Sequence, residues 1–161
     1  MVYHMETYQN KKYGFEIDLS DEWFVYTGTI PLLPTILFTI ANGWIPKADV
    51  EFSTGPNEYL NIVVEIIKPE PPPQFLEHFF RQYAQQMNFT DCTYGRIFVG
   101  QKEHVWARYQ MHNNVWSKKY MIILNGVGYA ISASCTGETI MQKEKRWDEI
   151  ARSLRLLKPD G

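Results

Sequence analysis

Residues 102–135 read KEHVWARYQMHNNVWSKKYMIILNGVGYAISASC, and this stretch decides the fold. Two short polar pairs, Asn113-Asn114 and Asn125-Gly126, separate three runs rich in Val, Ile, Tyr and Trp. Asn and Gly tolerate the positive φ that tight hairpin turns demand, so the stretch predicts three antiparallel strands. With two residues in each turn, paired positions sum to 227 in the first hairpin and 251 in the second. Strand side chains alternate between faces, so each paired set shares one side of the sheet. One predicted face carries Val105, Ala107, Tyr109 and Met111 over Ile122, Tyr120, Lys118 and Trp116. The other places Arg108 opposite Lys119 and Ser132, beside Trp106, Gln110, Ser117 and Ser134. A slip of one residue in either turn inverts the assignment.

Outward from the meander, the chain reads as further strands and helices. Phe15, Ile17 and Leu19 alternate with Glu16 and Asp18, the period of a half-buried strand. Residues 49–53 and 59–67 form a second predicted hairpin around Thr54-Gly55-Pro56-Asn57. Pro69, Pro71, Pro72 and Pro73 lead into a helix over 74–87, and Glu77 stands four residues before Arg81. A strand over 93–99 precedes the meander, and a helix over 138–154 closes the chain. Between Ile30 and Pro46 three prolines punctuate an apolar run, consistent with a short helix after Pro34 or a strand over 35–40. The expectation is one α+β domain over 1–161, an antiparallel sheet flanked by helices.

Composition narrows the functional classes. The 161 residues are 45% hydrophobic and 15% aromatic, which marks a chain with a packed core. A net charge of −2 argues against the concentrated basic face that nucleic acid requires. The charge is uneven: residues 1–80 hold 4 Lys/Arg against 11 Asp/Glu, or −7, and the remainder hold 12 against 7, or +5. No apolar stretch reaches membrane-spanning length and no leader pattern opens the sequence, so the expectation is a cytoplasmic protein without membrane insertion. Cys92 and Cys135 lack zinc-site spacing and read as reduced thiols. His104 and His112, on one strand, stand roughly 26 Å apart and share no metal. No nucleophile elbow, phosphate-binding glycine loop or cysteine-protease signature is present, so no catalysis and no cofactor is expected.

The segment Tyr13-Gly14-Phe15-Glu16-Ile17-Asp18-Leu19-Ser20-Asp21-Glu22-Trp23 resembles the opening strand and turn of the PsbP-like superfamily, with Ser20 in place of a proline. Gly128-Tyr129-Ala130-Ile131 and a closing helix with Trp147, Ile150, Ser153 and Leu154 are similar to that family as well. The superfamily includes a photosystem II subunit, a Ran-binding import factor and small bacterial proteins. The resemblance implies an α/β/α sandwich and binding without chemistry, chaperone-like in some bacterial relatives.

Two surfaces are candidates for such binding. Like charges at Arg108 and Lys119, about 5 Å apart at Cβ, call for an anion. Trp106, Gln110, Ser132 and Ser134 would complete a groove for an acidic peptide or small anion. A carboxylate of the fold itself, Glu65 or one on a helix, is the alternative occupant of that position. The second surface is the 30–46 run, where Phe38 and Trp44 would anchor a protein partner or a second copy in a homodimer.

Overall fold

The computed structural model describes residues 4–41, 48–137 and 140–158, the side chain of Asn113 excepted. The chain opens with β1 (Met5–Asn10) and β2 (Phe15–Ser20), an antiparallel hairpin. A two-residue strand β3 (Phe24–Val25) follows, and the open choice after Pro34 resolves as a helix, α1 (Pro34–Ala41). Next come β4 (Val50–Gly55), β5 (Glu58–Ile66), α2 (Pro73–Gln86) and β6 (Thr90–Val99). The meander supplies β7 (Lys102–Met111), β8 (Val115–Leu124) and β9 (Val127–Thr136). Helix α3 (Ile140–Arg152) and a short β10 (Arg155–Leu156) close the described chain.

Seven strands form the main sheet in the order β3-β4-β5-β9-β8-β7-β6, each adjoining pair antiparallel. Helices α1 and α2 cover one face, where Ile36, Phe80, Ala84 and Phe89 pack on Val105, Ala107 and Tyr109. Helix α3 and a small sheet, ordered β1-β2-β10, cover the other. There Phe15, Ile17, Leu19, Trp147 and Ile150 bury against Ile122, Tyr129 and Ile131. This is the expected α+β sandwich, with one addition. β10 was not legible as a strand, because two residues carry no periodicity. It is defined only by pairing Arg155 and Leu156 with Glu16 and Phe15.

The two hairpins of the meander differ in one decisive respect. Leu124 pairs with Val127 around Asn125-Gly126, both at positive φ, and the pairs of this hairpin sum to 251 as expected. In the first hairpin Met111 pairs with Val115, so the pairs sum to 226 and three residues make the turn. His112–Asn114 form a single 3-10 turn and Asn114 ends it at φ 58°. That is the common three-residue loop, a helical turn closed by a left-handed residue. The His112 ring also meets the Met87 carbonyl at 2.9 Å. The single added residue turns β7 over relative to the expected register. Trp106, Arg108 and Gln110 now face α3, and Val105, Ala107, Tyr109 and Met111 face α2.

Candidate binding surfaces

The corrected register divides the expected groove. Arg108 pairs with Lys118 and not with Lys119. Trp106, Arg108 and Gln110 lie under the α3 side of the sheet. Lys119, Ser132 and Ser134 lie on the side of α1 and α2. The like-charge problem persists at the new pair, and α3 resolves it. Glu144 and Asp148 are four residues apart, so one helix face presents both carboxylates to the strands. Arg108 Nη1 donates to both Glu144 oxygens, at 3.0 and 3.2 Å. Lys118 Nζ donates to Asp148 Oδ1 at 2.8 Å and lies 3.7 Å from Glu144 Oε2. The Tyr120 hydroxyl also donates to Asp148. Burial first, then that carboxylate, pushes its proton affinity far above the ordinary phenol range.

Trp106 completes the seam. Lys118 Nζ sits 4.0 Å from the centroid of its ring, a cation–π contact away from water, and the lysine side chain is only 3% exposed. The indole lies directly against Gly95 on the neighbouring strand, where any β-carbon would collide with it. Its Nε1 donates to the Arg96 carbonyl at 3.2 Å. Next to Glu144 on α3, Lys143 lies 3.5 Å from the buried Glu58 carboxylate, which also accepts from Trp147 Nε1, one turn on, at 2.7 Å. The place read as an anion site is therefore held by carboxylates of the protein's own last helix.

On the opposite face Lys119 is half-buried, its Nζ 5.6 Å from the Tyr83 ring centroid. Burial depresses its proton affinity, and the field of Glu65 partly offsets this. Ser134 donates to Ser117 at 3.3 Å. Asn61 joins the row of Ser132 and Lys119 across the strands, fully buried, with neither amide atom hydrogen-bonded. Phe38, on α1, is 48% exposed, whereas Trp44 lies outside the described residues. Phe75 and Phe79, one turn apart on α2, are 59% and 53% exposed, and Phe98 and Ile66 are exposed as well. Phe75 and Phe79 belong by helical spacing to the same apolar stripe as Phe80 and Tyr83, yet only Phe80 of the three phenylalanines is buried. Helical periodicity cannot separate a buried flank from an exposed one when both are aromatic.

A further feature was invisible in the sequence. The ladder between β7 and β8 ends at Val105 and Met121, and beyond it the sheet forks. Side chains then replace backbone: His104 Nδ1 accepts the Ile123 N–H at 3.2 Å, and Lys102 Nζ donates to the Ile123 carbonyl at 3.0 Å. Lys102 also pairs with Glu70. Burial pushes His104 down to about 4; Lys102 adds to the shift and Glu70 opposes it. Cys92 and Cys135 are not joined to each other, and burial raises Cys135 to about 12, which leaves it an unreactive core thiol at neutral pH. Among the described residues no cluster of three or more His, Cys, Asp or Glu side chains could hold a metal. Among them, too, no helix is long and apolar enough to cross a membrane.

An antiparallel seven-stranded sheet between two helices on one side and a helix with a small sheet on the other defines the class: a PsbP-like α/β/α sandwich. Cyanobacterial PsbP (CyanoP) from Synechocystis sp. PCC 6803 superposes with a TM-score of 0.63 at 12% identity, over 97% of this chain and 94% of that one. The Ran-binding protein Mog1p of Saccharomyces cerevisiae gives 0.60 at 8% identity, over 98% and 97%. A protein from Bacteroides thetaiotaomicron gives 0.52 at 9%, over 96% of this chain and 49% of that one. No protein-family model and no curated protein matches the sequence.

Two outcomes follow from the geometry. Asp148→Ala takes the nearer carboxylate from the buried Lys118 and the acceptor from the Tyr120 hydroxyl and should cost about 3 kcal/mol in urea unfolding, whereas Asp148→Leu with Lys118→Met should recover most of it. Between pH 6.5 and about 4 the unfolded chain protonates at residue 104 while the folded chain does not. Stability therefore falls as the pH is lowered through that window, at up to about 1.4 kcal/mol per pH unit. His104→Gln should flatten the decline between pH 6.5 and 5.

Proposed function

We propose that the chain is a non-catalytic protein-binding or assembly module. The supporting observation is the set of large apolar side chains left in solvent on the α1 and α2 side, Phe75 and Phe79 foremost. Exposed aromatic clusters of this kind supply the anchors of protein interfaces. Phe38 extends the set. A fold shared with a protein described as Ran-binding is compatible with recognition of proteins. In this reading the module works in a bacterial cytoplasm and presents apolar surface to a partner, in the manner of a chaperone, or to a second copy of itself. A small-anion site at Arg108 is disfavoured, because Glu144 already occupies that guanidinium.

Light scattering distinguishes the partners. If a second copy is bound, the wild type is a dimer and Phe75→Ser with Phe79→Ser is a folded monomer. If the wild type is a monomer, it should slow the aggregation of reduced insulin, and the double variant should lose most of that effect. The substitutions themselves should change stability by no more than about 0.5 kcal/mol, since both rings are exposed. A monomeric wild type without effect on aggregation contradicts the reading.

A further inference from the structure

The fork in the sheet opens into a cleft of about 730 Å³ on the α3 side, several times larger than the clefts beside β1 and beneath α2. Its rim is made by the tips of the β6–β7 and β8–β9 hairpins, at Gly100 and Asn125, and by the C-terminal end of α3. Val99, Leu124, Leu154 and Leu156 give it an apolar lining. Lys102, Arg152 and Arg155 line it beside Glu70. Lys102 is held in place by Glu70 and the Ile123 carbonyl, and Arg155 is bound to Glu16 and Asp18. Arg152 is exposed and enters no ion pair among the described residues.

We propose that this cleft binds an extended segment of a protein partner in which aliphatic side chains adjoin carboxylates. The inference rests on the protein-binding reading and adds a site to it. Three properties of the cleft carry the occupant's chemistry. The leucine and valine lining takes branched aliphatic side chains, while the Arg152 guanidinium, without an ion-pair partner among the described residues, selects acidic neighbours over basic ones. The cleft lies open along the end of the sheet between two hairpin tips, which suits a chain running through it better than a compact molecule enclosed on all sides. Its size falls within the range of ordinary binding pockets, enough for two or three side chains. Arg152 supplies the free guanidinium and a bidentate partner for an incoming carboxylate.

The test is amide chemical-shift mapping on the full chain with three probes. These are a capped glutamyl-leucyl-leucyl-glutamate peptide, its lysyl-leucyl-leucyl-lysine counterpart, and octanoate. The acidic peptide should shift the amides of Gly100, Lys102, Asn125 and Leu154 saturably, and the basic peptide should not. Arg152→Gln, an exposed and unpaired position, should weaken the acidic peptide about fivefold with the fold intact. No shift at these amides with the acidic peptide up to about 5 mM, beyond the range of a millimolar complex, overturns the proposal. So does equal binding of both peptides, or tighter binding of octanoate, which would reassign the cleft to a free carboxylic acid. Shifts confined to the exposed face of α2 would overturn the cleft site while leaving the protein-binding reading standing.

Discussion

The structure depends on a pair of cations that the sheet itself cannot accommodate. Arg108 and Lys118 stand side by side on adjacent central strands, and Lys118 is out of water. Two like charges opposite one another in a strand pair repel, and a buried ammonium without a partner costs several kcal/mol. Helix α3 is the element that removes the cost, through Glu144 and Asp148. Its position is over-determined by Trp147, fully buried between the main sheet and the small one, whose indole N–H reaches the Glu58 carboxylate. The small sheet in turn is tied to the helix end, because Ser153 Oγ accepts from the Asp18 amide and Arg155 spans Glu16 and Asp18. A polar seam and an apolar core thus fix the same helix in one orientation.

Much of this architecture was legible in the residues because the relevant signals are local. Period-two alternation marked β2, Asn125-Gly126 marked the second hairpin, and the proline run marked the start of α2. The first hairpin failed by one residue for an equally local reason. Asn113-Asn114 fits a two-residue turn and the end of a three-residue turn, and in the structure His112 joins the loop, with its ring 2.9 Å from the Met87 carbonyl. Because strand faces alternate, that single residue exchanged Arg108's partner and split the groove residues between two faces. The need for a neutralising carboxylate was visible from the like charges alone. Which carboxylates meet it was not, since Glu144 and Asp148 are separated from Arg108 by more than thirty residues and by the packing of α3. The cleft was hidden for the same reason: its walls come from hairpin tips and a helix end that no sequence spacing connects.

The two proposed binding surfaces lie on opposite sides of the main sheet. One is a spread of aromatic side chains outside α2, suited to burial of apolar area. The other is a charged, aliphatic cleft at the fork, suited to recognition of a short sequence. His104 stands at the root of the fork, so protonation there would oppose the bond to Ile123 that shapes the cleft.

The central claim is the register that seats α3, and through-space proton contacts across β7 and β8 test it most directly. The account requires backbone contacts joining Arg108 to Lys118 and Met111 to Val115, together with side-chain contacts between Trp106 and Lys118. Contacts joining Arg108 to Lys119 instead would return Arg108 to the face of Ser132, take the cation pair off α3 and contradict the account.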